Sequence, residues 1–468
     1  MTATRRWTLL AVVASALLLI TLDNSILYTA LPTLTRELGA DATEGLWIIN
    51  AYPLVMAGLL LGAGTLGDRF GHTRMFVIGL VIFGVASLGA AFAPTPLALI
   101  AARAVLAVGA ASMMPATLAL IRITFEVPRE RNVAIAVWGS IAIVGSALGP
   151  IISGLLLEVF WWGSVFLINV PVVILALIGA ALLAPANDAD PARKWDALSS
   201  VYVMVGLVGL VVAIKEFAHL PPDPLVLAIA VPVSAIGFVL FARRQGRLAY
   251  PLLDATIFRN PAFVAGIAGA GVAMFAMAGV QLVTTQRFQA IEGYSPLEAG
   301  LLVAAVALGS LPTGLLGGAF LHRTGLLPLI AGGLALGTVG TVIVATSFAA
   351  GGPWLIAGLL ILGAGLGAVM AVASTAIIGN VPVHRAGMAS SIEEVSYEFG
   401  SLVAVATLGS ILAGFVGQAD VEPRVAYDDA YTVVMIVVAI VLAVGAAYTA
   451  RLLRRHGPGS ASTEHDAH

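Results

Sequence analysis

The chain has 468 residues, of which 60% are hydrophobic and 10% charged, and its mean hydropathy of +1.02 lies far above that of a soluble globular domain. This excludes a multi-domain soluble enzyme and indicates an integral membrane protein. With 23 basic against 25 acidic residues the chain offers no basic footprint for nucleic acid, and zero cysteines exclude disulfides, thiolate metal sites and thiol nucleophiles.

A bilayer crossing takes about 20 apolar residues. Runs of that kind fall at 7–30, 46–66, 75–93, 97–121, 134–157, 165–183, 198–214, 225–241, 263–285, 299–321, 326–347, 354–378, 391–416 and 431–453. An all-α membrane protein with 14 spans is predicted, because only helices satisfy every backbone group within such runs. The first run follows Arg5 and Arg6 but carries Asp23 and ends at Leu31-Pro32 rather than at a small-residue cleavage site, so it reads as a retained helix. Loops on the side of the two termini hold 18 Lys and Arg, against 4 on the other side. Basic residues stay on the cytoplasmic face, so both termini are expected in the cytoplasm, with the chain multi-pass in the cell (inner) membrane.

A loose internal echo suggests two halves. Gly64 to Gly71 after span 2 recurs as Gly318 to Gly325 after span 10, and Glu44 precedes Glu298 by the same 254 positions. Residues 1–183 are then an N-terminal six-helix bundle, 184–197 a cytoplasmic linker, 198–241 two inserted helices, 242–453 a C-terminal six-helix bundle and 454–468 a disordered cytoplasmic tail.

An ionisable residue near the bilayer centre costs about 2.5–3.5 kcal/mol on insertion scales, so those present are informative. Asp23 in span 1 is too short to snorkel several turns and suits a cation or a proton. In span 13, Glu394 and Glu398 are one turn apart with Tyr397 nearby, and Glu393 points about 100° away. Like charges one turn apart repel, which suits the pair to exchanging a proton. Ser390-Ser391-Ile392-Glu393-Glu394 also has capping-box spacing, so the first two glutamates are open to a helix-start reading that Glu398, a turn deeper, escapes. Arg103 in span 4 either neutralises a neighbouring group for structure or biases the protonation of an acid. Acids outnumber bases at membrane depth, so a cavity they line favours cationic solutes over anions.

In span 5, Gly145, Gly149, Pro150 and Gly154 place small residues on one face around a kink. Gly363, Gly365 and Gly367 read as helix packing, because no strand precedes them, and the seven histidines show no metal-binding spacing. No metal and no cofactor is expected.

The loop Gly64-x-Leu66-x-Asp68-Arg69-Phe70-Gly71-His72-x-Arg74 resembles the signature loop of the major facilitator superfamily. Leu22 to Pro32 is similar to the first-helix motif of its fourteen-span drug:proton antiporters, Gly145 to Gly154 to their span 5 motif, and Trp162 to Pro171 to the start of their sixth span. The resemblance covers nearly the whole chain. It implies the major facilitator fold, with two six-helix bundles plus two inserted helices, rocking around a midplane cavity to drive export with protons. It assigns conformational switching to Gly67, Asp68, Arg69, Gly71 and Arg74, proton relay to Arg103, and cavity shaping to the span 5 motif. The stretch Ser391 to Gly400 is similar to span 13 of exporters of quaternary ammonium compounds and dyes. The span 4 motif here has Leu106 and Ala107 where Gln-Gly is usual, and the loop Gly417 to Ala430 is short.

The expected activity is proton-coupled efflux of lipophilic cations by a monomer, with Asp23, Arg103 and Glu398 coupling protons. Asp23, Glu393, Glu394, Tyr397 and Glu398 are expected to bind substrate. The alternative is a dedicated exporter of one endogenous metabolite or antibiotic by the same mechanism. A membrane enzyme finds no nucleophile with a base, and a receptor no extramembrane mass.

Overall fold

The computed structural model describes residues 2–190, 195–218, 222–248, 251–253, 255–381, 386–417 and 421–454. Residues 191–194 of the expected linker, His384 and the expected tail after Arg454 lie outside the described residues.

The helices are α1 (Ala3–Leu38), α2 (Ala42–Phe70), α3 (His72–Ala91), α4 (Pro96–Thr124), α5 (Pro128–Val159), α6 (Ser164–Leu167), α7 (Asn169–Leu183), α8 (Ala197–Ala218), α9 (Pro224–Gln245), α10 (Pro261–Ile291), α11 (Pro296–Thr324), α12 (Leu326–Ser347), α13 (Gly352–Ile378), α14 (Ala386–Val416) and α15 (Pro423–Arg454). Among the described residues, 14 segments are long and apolar enough to cross a membrane, α6 and α7 together making the sixth. The all-α expectation holds. The helices are longer than the apolar runs because local chemistry, not hydropathy, ends them. Asp41 accepts from the Glu44 N–H at 2.7 Å while Glu44 accepts from the Asp41 N–H at 3.0 Å, a reciprocal cap that starts α2. Thr95 caps α4 ahead of Pro96 from one side only, accepting from the Ala98 N–H at 3.2 Å. Longer helices also take in charge that the apolar runs leave in loops: Arg287 belongs to α10 and is fully buried.

The chain forms two compact units. The first comprises Met1–Leu252, Gln281–Ala304 and Leu402–Ala430; the second comprises Leu253–Val280, Ala305–Ser401 and Tyr431–His468. In the first unit α1 packs along α5, and α4 along both α2 and α3. The α8/α9 pair is held together by close backbone approach at Gly206 and Gly237, and docks on α2 through α8. There Met204 lies over Gly58, Trp195 and Ser200 lie over Gly62, and Lys215 reaches the Thr43 carbonyl at 3.3 Å while covering the Trp47 ring. In the second unit α12 packs along α13, meeting it glycine to glycine where Gly333 and Gly340 face Gly365 and Gly358.

Candidate functional site

Two groups of polar residues lie at membrane depth, one in each unit. In the first unit, Asp23 of α1 forms an ion pair with Arg103 of α4; the acid is 1% exposed and the guanidinium 0%. Asn169, at the start of α7, donates to Asp23 at 3.1 Å and reaches Ser87 of α3 at 3.2 Å. Arg103 Nε donates to the Ile48 carbonyl at 3.3 Å, and its guanidinium lies 4.5 Å from the centre of the Tyr52 ring. Ile48 lies beside Ile49, whose carbonyl loses its helical donor to Pro53. Of the two readings open for Arg103, the structure shows its neighbour: the acid of α1, across a cluster drawn from five helices.

Small residues on α5 bring that helix against the same part of α1. A Cβ at Gly145 would collide with Thr21 Oγ1, and one at Gly149 with Ser25 Oγ. Ser25 Oγ already sits 3.4 Å from the Gly145 carbonyl. Gly154 lies against Leu297 at the start of α11, and Gly300 lies against the Pro150 carbonyl. The expected cavity-shaping motif is thus a close-approach stripe touching α1 at one end and α11 at the other.

A second break in α1 creates a contact that periodicity does not show. Pro32 has no N–H to give to the Tyr28 carbonyl, four residues back. Thr285 of α10 lies 2.7 Å from that carbonyl and 2.8 Å from the carbonyl of Gln281 on its own helix. Its one hydrogen has the better use at Tyr28, which lacks a helical donor. Gln289, a turn further on, donates to the Thr29 carbonyl at 3.0 Å. Beyond this latch, buried Arg287 pairs with Asp428 at 2.7 Å and with Glu292 at 3.1 Å, and Arg424 pairs with Glu292 at 3.1 Å. The hydrogen bond from Arg424 first, and the Arg287 charge with it, holds the Glu292 carboxyl below its ordinary range. This end of the first unit is therefore closed by hydrogen bonds and an ion cluster joining α10 to α1 and to α15.

At the other end of α2, Gly71 adopts φ 92°, a turn only glycine makes easily, and its N–H donates to Gly67 at 2.8 Å. His72 pairs with Asp68 at 3.2 Å, and Arg69 lies over the Phe70 ring. The expected linker folds back onto this loop. Asn187 donates to the Phe70 carbonyl at 2.8 Å and accepts from the Arg74 N–H at 3.0 Å. Pro185 accepts from Thr73 at 3.1 Å, and the Asp190 N–H donates to the Asp68 carbonyl at 2.9 Å. The expected switch loop is instead a tight junction, with Gly67, Asp68 and Arg69 in the last turn of α2, Gly71 alone between the helices and Arg74 in the first turn of α3, and the linker, on which the sequence carried no such signal, holds it.

In the second unit, Glu393 is buried. It accepts from Ser374 of α13 at 2.5 Å and from the Tyr397 hydroxyl, one turn along α14, at 3.3 Å. Glu394 is half-buried and Glu398 buried. Among the described residues no Lys or Arg forms an ion pair with Glu393 or Glu394. The helix-start reading of the first two glutamates fails, because α14 begins at Ala386, about two turns earlier, with no acid in its first turn. Tyr397 turns out to be the partner of Glu393 rather than of the other two acids.

Sequence reasoning missed four polar residues of the first unit. Asn169 is one. Asn50 is 0% exposed, and neither atom of its amide has a hydrogen-bonding partner among the described residues; Gln281 Nε2 and Asn24 Oδ1 are likewise unpartnered there. Burying an unpaired amide is costly, which sets these groups apart from the rest of the apolar interior. The signal was present as polar residues inside apolar runs, but uncharged amides escape a search for charge. Among the described residues no group of three metal-ligating side chains occurs.

The family model for the Major Facilitator Superfamily matches residues 13–290 and 261–467. The multidrug efflux pump LfrA of Mycolicibacterium smegmatis is 38% identical over 423 residues, 88% of this chain and 82% of that protein. The methyl viologen resistance protein SmvA of Salmonella typhimurium is 35% identical over 410 residues, 87% of this chain and 83% of that protein. A crystal structure of the peptide transporter POT superposes with a TM-score of 0.67 at 16% identity, covering 96% of this chain and 95% of that one, which is a likeness of fold.

Proposed function

This chain belongs to the major facilitator superfamily of multi-pass membrane transporters, and on that premise we propose that it is a proton-coupled antiporter expelling lipophilic cations, quaternary ammonium compounds and dyes among them, by alternating access. That it is an efflux transporter follows from relatives such as LfrA and SmvA; methyl viologen, named in the second, is itself a quaternary cation. The observation that carries the finer reading is the contrast in charge compensation at membrane depth. One acid, Asp23, is neutralised by a buried base, while Glu393 of α14 is met by two hydroxyls and, among the described residues, by no Lys or Arg. An acid held in that way attracts a cation and exchanges a proton.

Asp23 and Arg103 are the coupling pair in this scheme. A proton placed on Asp23 removes one half of a buried ion pair and frees the guanidinium, an electrostatic change large enough to bias two states. Glu393, Glu394, Tyr397 and Glu398 receive the cation. The latch of Thr285 and Gln289 on α1 must open for release. The positive-inside pattern orients the chain with both termini in the cytoplasm, so the latch lies on the outer side of the cell membrane and the Gly67–Arg74 loop on the inner side. No cofactor besides the proton is needed, and a single chain suffices. Moving one charge across the membrane is worth about 2.3 kcal/mol per 100 mV, so a cation leaves against the potential only if more positive charge enters or a pH gradient contributes.

Dye export from everted vesicles tests the reading. Export that collapses with a protonophore, together with substrate-induced proton release from purified protein lost in Asp23→Asn and Glu398→Gln, is the expected result. Export indifferent to the proton gradient, or no export across a panel of lipophilic cations, overturns it.

A further inference from the structure

We propose that the α8/α9 pair carries a binding site for one anionic phospholipid, at the end where α8 begins and α9 finishes. A cavity of about 390 Å³ opens there, lined by Tyr202 of α8 and by Leu240, Arg243, Arg244, Arg247 and Leu248 of α9 and the turn after it. Leu240, Arg243 and Arg244 keep i, i+3, i+4 spacing on one face of α9, and Arg247, in the turn that follows, lines the same cavity, so a leucine gives way to three guanidiniums as the chain leaves the apolar region. Arg244 is anchored by Asp196, which accepts from its Nε at 2.7 Å and from its Nη2 at 2.8 Å. No acid is paired with Arg243 or Arg247 among the described residues, and both are exposed.

The same face continues into the membrane. Ile229, Val233, Ile236 and Leu240 keep the helical spacing, and all four are exposed. From position 229 to 240 the helix rises about 16 Å, close to half of the ~30 Å hydrocarbon core. An apolar strip one leaflet deep, ending in a cavity with a tyrosine and two arginines that pair with no acid among the described residues, matches a lipid whose acyl chain lies on the strip and whose phosphate enters the cavity. Guanidinium groups bind phosphate oxygens in pairs, which is the recognition expected of a phosphodiester. A zwitterionic lipid brings its own cation into a site already holding three, so the site discriminates for net negative headgroups.

The competing account is that these arginines only snorkel to the headgroup layer and complement the end of the α9 dipole. That account predicts no preference between lipids and no dependence on these particular residues. The full chain, purified in detergent, is incubated with equimolar phosphatidylglycerol and phosphatidylcholine and the retained lipid is measured by native mass spectrometry. About tenfold preference for phosphatidylglycerol is expected, the size of one charge-assisted bidentate contact. Its melting midpoint rises by roughly 3 °C with phosphatidylglycerol and not with phosphatidylcholine. Arg243→Gln with Arg247→Gln abolishes both effects, and Arg451→Gln with Arg454→Gln, at the exposed end of α15, leaves them intact. The lipid preference of the unmodified protein, weakened by raised salt, carries the test even if the double variant fails to fold. Equal retention of the two lipids overturns the proposal. So does equal loss in the α15 variant, or the same stabilisation by inorganic phosphate alone, which marks a phosphate site instead of a lipid one.

Discussion

Asp23 and Glu393 are both carboxylates buried on membrane-spanning helices, yet their surroundings share almost nothing. Asp23 faces a guanidinium from α4 and an amide donor from α7, and that guanidinium lies over an aromatic ring of α2. Glu393 faces a serine and a tyrosine hydroxyl, one of them on its own helix. Removing an acid from a buried ion pair leaves an unpaired charge behind. Removing one from hydroxyl partners leaves neutral groups that find other acceptors. In the first region charge is tied to structure through an ion pair, whereas Glu393 is held by hydroxyls of its own and a neighbouring helix.

The sharpest way to break this comparison is Arg103→Leu, which strands Asp23 as a buried lone carboxylate. A loss of about 3–5 kcal/mol of stability is expected along with export; a thermal melt and vesicle assay read both. Asp23→Leu with Arg103→Leu regains most of the melting temperature but not the export, and export by that double variant contradicts a coupling role for the pair. Next in size, Glu398→Gln is expected to lower cation export at least tenfold while changing stability by less than about 1 kcal/mol, since the change is nearly isosteric. Loss of stability as large as that of Arg103→Leu erases the distinction between the two regions.

Smaller effects probe the latch and the loop side. Thr285→Val removes the donor to the Tyr28 carbonyl and costs the closed end about 1 kcal/mol, a shift of roughly fivefold in an opening equilibrium. The chain has no cysteine, so labelling of Leu46→Cys, a position packed against Gly409 in the closed end, reports that shift without background. Smallest of all is the Asp196 pair. The hydrogen bond from Arg244 holds the Asp196 carboxyl below its ordinary value, so its contribution is present above the unfolded value of about 3.9 and lost as pH falls through the folded one. Asp196→Asn is expected to cost under about 1 kcal/mol at neutral pH. Between pH 5 and 3 its melting temperature should fall less steeply than that of the unmodified protein.

Much of the architecture was legible in the chain. Each crossing is an uninterrupted apolar run, and hydrophobicity of that length has one stable solution in a bilayer. The depth-placed acids, Arg103 and the Gly67–Arg74 loop could be picked out because charge and glycine stand out against such a background. The linker did not stand out as a partner of that loop: Asn187 meets Phe70 and Arg74 by hydrogen bonds to backbone groups, which leave no mark on composition. The capping spacing at Ser390 to Glu394 misled because a local pattern does not show where a helix begins, and α14 begins two turns earlier.

The sequence by itself determined how many helices cross the membrane, about where they lie, and which side chains carry charge into the apolar layer. Only the tertiary structure decided which of those charges is paired. Asp23 meets Arg103 at a separation of 80 residues and Asn169 at 146. Helical periodicity describes one helix against an undifferentiated environment, whereas a partner is chosen by how closely two particular helices approach. Here small residues such as Gly145 and Gly149, and the carbonyl that Pro32 deprives of a helical donor and Thr285 meets instead, set those approaches.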